Sequence, residues 1–540
     1  MTIRRPVPGT GIDATRLGRR DLLRLFGASA LVALSVPATV RQALAAPIFV
    51  TYPFQLGVAA GDPAPDGFVI WTRLAPLPLE PGYGMPMQPV EIEWQVAEDT
   101  GFRTVAQQGT VVARPELGHA CHVEVGGLQP GRTYFYRFTA GDERSIVGRA
   151  RTLPAAGAMP EQIRFAVAGC QSYEQGYYTA FRDLALQDEL DFVFHYGDYI
   201  YEYDPRPFTF DRHLNRQVPI VRDVPGTEIM TLDDYRRRYA VYKMDPDLQL
   251  AHASAAFIPT WDDHEIDNNW AANIAQDGVP PEVFDLRRVA AAQAYYENMP
   301  LRRTSWPLGP AIRLYRRFEA GGLMSFSALD TRQYRSDQPC GDGVKAVCPE
   351  IDDPKATMLG AEQEKWLFEG LARSKARWNA IGQQVVVMAK DFGRADGETR
   401  NLDAWDGYRV PRQRLMDHLH DRKIRNTVIL TGDMHQNVAG DLHRRPDDPA
   451  SPIVASEFVA TSISSGFDGG EARSTYPTVL SRNPHIKFMN DQRGYMLHTV
   501  RQDRWEAAFR VVDKVRTPDG TVSTRATLVV EADAPGLKTA

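Results

Sequence analysis

The stretch Asp191-Phe192-Val193-Phe194-His195-Tyr196-Gly197-Asp198-Tyr199-Ile200-Tyr201 passes from an apolar run straight into a knot of oxygen donors. Phe192-Val193-Phe194 reads as a buried strand, so Asp198 and Tyr201 fall where the strand ends and a loop begins. The arrangement recurs twice: Phe257-Ile258 leads into Trp261-Asp262-Asp263-His264-Glu265, and Thr427-Val428-Ile429-Leu430 leads into Gly432-Asp433-Met434-His435. Strand ends of this kind are where open α/β sheets place their active sites. Carboxylate, phenol and imidazole donors suit hard or borderline cations, and closely spaced cations activate water against phosphate esters.

Around this stretch, Ile163 to Ala168, Tyr177 to Gln187 and Asp191 to Tyr196 alternate strand, helix and strand, the pattern of a layered α/β domain. Further amphipathic helices are expected at Val283 to Glu297 and Gly360 to Lys375. Upstream, from about Phe54 to Thr152, apolar and polar residues alternate in short runs between Gly and Pro, which predicts a β-sandwich. Within it, Gly127-Leu128-Gln129-Pro130-Gly131-Arg132-Thr133-Tyr134 resembles the turn and tyrosine strand of fibronectin type III-like modules. The loop Pro154 to Pro160 separates the two patterns. The expected organisation is a leader over 1–45, a β-sandwich over 46–155, a catalytic domain over 156–533 and a disordered tail over 534–540. The insertion from Asp204 to Asp247, rich in Arg, Asp, Tyr and Pro, is expected either to shape access to a site or to be a solvated loop.

With 540 residues and 43% hydrophobic composition, the chain can bury two sizeable cores. Its formal charge is −6, and without the Arg-rich first 45 residues it would be about −11, a poor balance for nonspecific nucleic-acid binding. Arg19-Arg20-Asp21-Leu22-Leu23-Arg24, a short apolar region and Ala43-Leu44-Ala45 describe a twin-arginine signal rather than a stable membrane anchor. That predicts delivery by the twin-arginine machinery to the periplasm or the exterior. Of the four cysteines, Cys340 and Cys348 flank a polar turn and are expected to form a disulfide, and Cys121 reads as a buried thiol. Cys170 follows the run Phe165-Ala166-Val167-Ala168-Gly169, next to the strand that carries Asp198. A phenolate beside a carboxylate suggests Fe(III), with Cys170 completing its shell as a thiolate.

Gly197-Asp198-Tyr199-Ile200-Tyr201 is similar to the corresponding cluster of purple acid phosphatases. The whole series resembles the PhoD family of alkaline phosphatases and phosphodiesterases, within the metallophosphoesterases. The motifs carrying that resemblance are the twin-arginine leader, Gly57-Val58-Ala59-Ala60-Gly61-Asp62, Gly169-Cys170-Gln171-Ser172, Gly197 to Tyr201, Trp261 to Glu265 through Asn268-Asn269-Trp270, Leu329-Asp330-Thr331-Arg332-Gln333-Tyr334-Arg335 and Gly432 to His435. The resemblance implies a fibronectin-like sandwich followed by a four-layer α/β/β/α metallophosphoesterase domain. It also implies one Fe(III) held by Cys170, Asp198, Tyr201 and His435, with Asp198 bridging to Ca²⁺ and Asp263 and Asp433 as further donors. Where the wider superfamily has Asn-His-Glu and Gly-His-x-His, this chain has Asp263-His264-Glu265 and Gly432-Asp433-Met434-His435, exchanges that favour a hard cation. Zinc and magnesium stay open at that position.

The expected chemistry is hydrolysis of phosphomonoesters, and of diesters, by in-line attack of a metal-activated hydroxide or oxide. His264 is a candidate to protonate the leaving group or orient substrate, with a loop-holding role as the alternative. Arg332 is a candidate phosphate clamp, a role Arg335 would serve as well. Two other readings stay open: a phosphodiesterase of phospholipase D type, and a noncatalytic exported binding module. The physiological ester and the oligomeric state are not written in these motifs.

Overall fold

A computed structural model of the protein describes residues 48–394, 397–446 and 448–540, so the expected leader lies outside the described residues. Two large sheets dominate. In spatial order, the ten-stranded sheet runs Ala534–Thr539, Val522–Glu531, Arg504–Val512, Gly494–Val500, Ile163–Ala168, Phe192–His195, Ala256–Pro259, Val58–Ala64, Gly67–Arg73 and Ala120–Val125. The seven-stranded sheet runs Arg316–Ala320, Met324–Ala328, Trp378–Gly382, Thr427–Thr431, Ile453–Val459, Asn437–His443 and Ile486–Asn490. Phe165, Phe192, Phe194 and Ile258 of the first sheet share one buried cluster with Phe326, Ala380, Val428 and Leu430 of the second. The sheets therefore pack face to face, and their central strands are apolar on both faces, as parallel strands covered by helices must be.

The outer faces are covered by helices, which completes the expected four layers. Tyr178, Phe181, Tyr239, Leu248 and Tyr295 cover Ala166, Val193 and Phe257, while Leu367, Leu371, Leu415 and Leu419 cover Ile381 and Ile429. Helix starts are written locally. Thr231 and Asp234 form a reciprocal capping box at Leu232–Lys243, and Asp245 with Pro246 opens Pro246–Ser254. The expected helices appear as Thr179–Ala185, Pro281–Asn298 and Gly360–Arg373. No helix among the described residues is long and apolar enough to cross a membrane.

The N-terminal strands alternate as expected, and Tyr134 Oη accepts from Gln129 N–H at 3.0 Å in the manner of a tyrosine corner. Their arrangement is less separable than the sequence suggests. One layer of the sandwich, built around Val90–Ala97, Val105–Ala113 and Thr133–Ala140, is its own sheet. The other layer is the edge of the ten-stranded sheet, because Val58–Ala64 pairs in parallel with Ala256–Pro259, Ala60 opposite Ala256 and Gly61 opposite Phe257. Trp71 Nε1 reinforces the join by donating to Glu297 O at 2.9 Å.

The C-terminus also differs from expectation. Residues 534–540 hold the strand Ala534–Thr539, which pairs with Val522–Glu531 around Asp533, at φ 63°. Asp533 N–H is held by Asn426 Oδ1 at 2.7 Å and Leu537 N–H by Asp441 Oδ1 at 2.8 Å, so anchors on other elements order a segment with little propensity of its own.

Removing residues up to 155 would strip the edge from Ala256–Pro259 and uncover Ala240 and Met244, which pack against Ala59 and Trp71. A fragment beginning at 156 is expected to aggregate on expression, as judged by size-exclusion chromatography. A monomeric, cooperatively unfolding fragment would contradict the shared-sheet account.

Candidate metal centre

The register of the parallel strands brings the donor loops together. Phe194 lies opposite Val167 and Ile258, so the three strands end level at Ala168, His195 and Pro259. From these ends leave Cys170, Asp198 with Tyr201, and Asp262 with Asp263. The facing sheet contributes Asp433 and His435 just beyond Thr427–Thr431. Gly197, at φ 130°, has room for no side chain: a Cβ would lie 2.4 Å from Asp262 N. At Gly432 a Cβ would lie 2.2 Å from Tyr196 Cε2. Tyr196 is wedged between the sheets with its Oη donating to Thr461 O at 2.9 Å, and it spaces the two halves of the site. Cys170, Asp198, Asp433 and His435 all hold left-handed backbone, at φ 51°, 53°, 66° and 55°. Each such residue costs on the order of 1–2 kcal/mol, a cost that recurs where function fixes the geometry.

All six expected donors meet. Asp198 Oδ2 lies 3.2 Å from Cys170 Sγ and 3.0 Å from Tyr201 Oη, and Tyr201 Oη lies 3.3 Å from His435 Nε2. Three overlapping groups, each with donor atoms within 4.8 Å of one another, form a chain: Cys170, Asp198 and His435; then Asp198, Asp263 and His264; then Asp262, Asp263 and Asp433. Asp198 and Asp263 each belong to two groups, the position a bridging carboxylate takes. The sulfur and phenol lie at one end and the carboxylates at the other.

Two carboxylates at this separation repel by roughly 3–4 kcal/mol at an effective dielectric near 20. Three such pairs approach the net stability of a whole domain, so a cation or a proton must be present. Burial, reinforced by neighbouring carboxylates, pushes Asp433 well above the usual carboxylate range; for Asp198 burial and Asp263 outweigh the opposing pull of His264. Burial and Asp198 likewise push the Cys170 thiol and the Tyr201 phenol upward. Asp198 Oδ1, Asp262 Oδ2 and Asp263 Oδ1 are buried without a hydrogen-bond partner. Orphaned acceptors around a common space, with soft and phenolic donors at one end only, fit two unlike cations.

Around the donors stands a set of supports that the sequence reading missed. Glu265 accepts from Asp198 N, Tyr199 N and Asp262 N at 3.2, 2.7 and 2.8 Å, tying two donor loops together. Ser465 Oγ lies 2.7 Å from Tyr201 Oη and donates to Cys170 O at 2.7 Å, while Arg493 Nη1 donates to His435 O at 2.7 Å. Ser465 follows the strand Ile453–Val459, so the strand-end signal used for the donors was present there too. Asp262 is a further member of the carboxylate group, in a motif where the family pattern assigns the donor to its neighbour Asp263.

His264 lines an open cavity of about 460 Å³ together with Tyr201, His435, Tyr203, Arg212 and Arg473. Its Nδ1 pairs with Glu202 Oε2 at 2.8 Å and its Nε2 stands 4.0 Å from Asp263 Oδ2. Burial acts against a charge on His264, but Glu202, Asp263, Tyr203 and Asp198 outweigh it and hold the imidazolium. Arg332, expected at the phosphate, is instead fully buried beneath the carboxylates and absent from the cavity wall. It pairs with Asp262 at 2.5 Å, Asp403 at 2.8 Å and Asp263 at 3.5 Å, because the acidic cluster is the strongest attractor within its reach. Arg335 is buried on the same Asp403. The insertion from Asp204 to Asp247 does shape the cavity: Asp204, Arg206, Phe210 and Arg212 form part of its wall.

Replacing Gly432 with Ala drives a Cβ into the Tyr196 ring. The expected cost is ~1–3 kcal/mol of stability, read as a lowered urea midpoint, with weakened cation retention. An unchanged midpoint would show that Tyr196 is not the spacer.

The family model described as PhoD-like phosphatase matches residues 165–509, and that described as PhoD-like phosphatase, N-terminal domain, matches 41–154. Alkaline phosphatase D of Bacillus subtilis (strain 168) is 46% identical over 518 residues, covering 95% of this chain and 88% of that protein. The solved structure titled "Structure of PhoD" superimposes with a TM-score of 0.89 at 47% identity, covering 92% of this chain and 93% of that one. The donor constellation, the two-sheet scaffold and these matches together show that the chain belongs to the PhoD-like phosphatase family.

Proposed function

We propose that the protein is an exported, metal-dependent phosphatase that hydrolyses phosphomonoesters and also phosphodiesters. The observation that carries this reading is the convergence of sulfur, phenol, imidazole and carboxylate donors from two facing sheets beside a cavity that Tyr201 and His435 line, with three buried carboxylate oxygens left without a hydrogen-bond partner. Cys170, Asp198, Tyr201 and His435 would hold Fe(III), and Asp198, Asp263, Asp433 and Asp262 would hold Ca²⁺ beside it. When bound, such ions supply Lewis acidity at the phosphoryl oxygens and a nucleophile near neutral pH.

The chain's own residues do the rest. His264, held by Glu202 and facing the cavity, is placed to give its Nε2 proton to the departing alcohol oxygen. Arg332 offsets the repulsion among Asp262, Asp263 and Asp403 from below: it helps hold Asp263 and Asp403 below the usual carboxylate range and opposes the burial that pushes Asp262 up. Arg206, Arg212 and Arg473 bring positive charge to the wall where an anionic ester enters. The cavity leaves space for a second substituent on phosphorus, which favours diesters as well as monoesters. Export is supported by Arg19-Arg20 with its apolar sequel, and by the Cys340–Cys348 disulfide, which suits an oxidising compartment.

Elemental analysis with a visible spectrum tests the metal assignment. Iron with a thiolate or phenolate charge-transfer band is expected, the band being shifted or lost in Tyr201→Phe and Cys170→Ala, with kcat lowered roughly 10- to 100-fold or more. Iron-free protein of full activity would overturn it. Turnover of nitrophenyl phosphate and bis-nitrophenyl phosphate by one preparation is expected for both esters. Exclusive turnover of the diester would make the protein a phosphodiesterase instead.

A further inference from the structure

Cys340 and Cys348 are joined in a disulfide, and the half-buried loop they close reaches towards the metal centre, first through Asn269. Asp342, inside the loop, accepts through Oδ2 from Asn269 Nδ2 at 2.7 Å and from Gln276 Nε2 at 2.8 Å. Gln338, just before the loop, donates through Nε2 to Asn269 O at 2.6 Å and to Asp403 Oδ1 at 2.7 Å. Asn269 in turn donates its backbone N–H to Asp263 Oδ2 at 2.8 Å. Asn269 stands at φ 50°, left-handed backbone that an L residue keeps only when its surroundings hold it there. Its amide, its carbonyl and its side-chain nitrogen are each engaged, two of them by residues of the disulfide segment. A second arm runs from the same loop: Val344–Ala346 pairs with Thr399–Asn401, and Leu402 N–H donates to Gly343 O at 3.0 Å, just before Asp403.

We propose that the Cys340–Cys348 loop is a clasp that positions the carboxylate side of the metal centre. Closed, it holds Gln338 and Asp342 on Asn269, and through the Asn269 N–H it fixes Asp263. Opened, it releases that hold, and the cation on the Asp263 side is bound more weakly, while the Cys170 and Tyr201 side is untouched. Opening by a dithiol breaks the S–S bond in two exchange steps; the dithiol is oxidised to its own disulfide, and Cys340 and Cys348 each leave as a thiol. Cation affinity thereby reports the redox state of the compartment. The proposal rests on the reading of Asp263 as a cation donor.

The test is calcium titration by calorimetry on the full iron-loaded protein after removal of divalent ions. Five forms are compared: oxidised, dithiothreitol-reduced, the Cys340→Ser/Cys348→Ser double variant, Asp342→Ala and Asp342→Asn. Loss of the disulfide is confirmed by mass. The calcium Kd is expected to rise roughly tenfold on reduction, in the double variant and in Asp342→Ala, the scale seen when partners behind a metal ligand are removed. Asp342→Asn keeps an acceptor oxygen and should stay within about threefold of wild type. The visible iron band should stay constant in the three variants, which meet no reductant that could take Fe(III) to Fe(II). Equal Kd values in the oxidised and reduced forms would overturn the clasp, as would a parallel loss of the iron band in the variants, which marks general unfolding. An oxidised wild type that binds no calcium would overturn the metal reading itself.

Discussion

Asp198, Asp262, Asp263 and Asp433 are gathered in a space from which water is largely excluded, and left to themselves they repel one another. Like charges at these separations cost several kcal/mol per pair, comparable to the margin by which a domain is folded at all. The rest of the site reads as a response to that constraint. Arg332 approaches from below, His264 is held as an imidazolium at the side, and Asn269 and Glu265 fix the loops with backbone hydrogen bonds. These groups reduce the repulsion without removing it, since three acceptor oxygens still lack hydrogen-bond partners. On the proposed reading, cations would complete the site and supply its chemistry in the same act.

The scaffold makes such a concentration of charge possible by stiffness. Three parallel strands end in register, a facing sheet brings the fourth loop, and Tyr196 sets the gap between them. Four donors in left-handed backbone show that the loops are held by their surroundings rather than by their own preference. The N-terminal strands contribute by extending the same sheet, so the sandwich buttresses the central strands as well as packing on its own core.

Much of the site could be read in the chain because its signals are local. An apolar run followed by Gly-Asp or Asp-Asp marks a strand end, and all six donors named from such runs converge, Cys170 among them. Where the reading failed, the deciding forces lie far apart in sequence. Nothing near Arg332 announces that Asp262 and Asp403 will claim it, and a guanidinium in a motif reveals its charge but not its partner. The supports Glu265 and Arg493 act on backbone groups of other loops, contacts that no periodicity encodes. The last strand carries Pro535 and Gly536, which weaken its pattern, and it forms because Val522–Glu531 offers a free edge and Asn426 and Asp441 anchor it. The sharing of one sheet by sandwich and catalytic strands is not legible in the chain because alternation shows which face is buried and not which strand will be the neighbour.

The central claim is that the site is unequal, with iron at the thiolate and phenolate end and a hard divalent ion at the carboxylate end, bridged by Asp198. Anomalous diffraction from crystals of the metal-loaded protein, collected on both sides of the iron edge, tests it most directly. The account predicts an iron-specific peak within bonding distance of Cys170 Sγ, Tyr201 Oη and His435, and a separate peak that does not change across the edge, among Asp263, Asp433 and Asp262. Two peaks of the same element, or a lone ion that leaves Cys170 and Tyr201 uncoordinated, would contradict it.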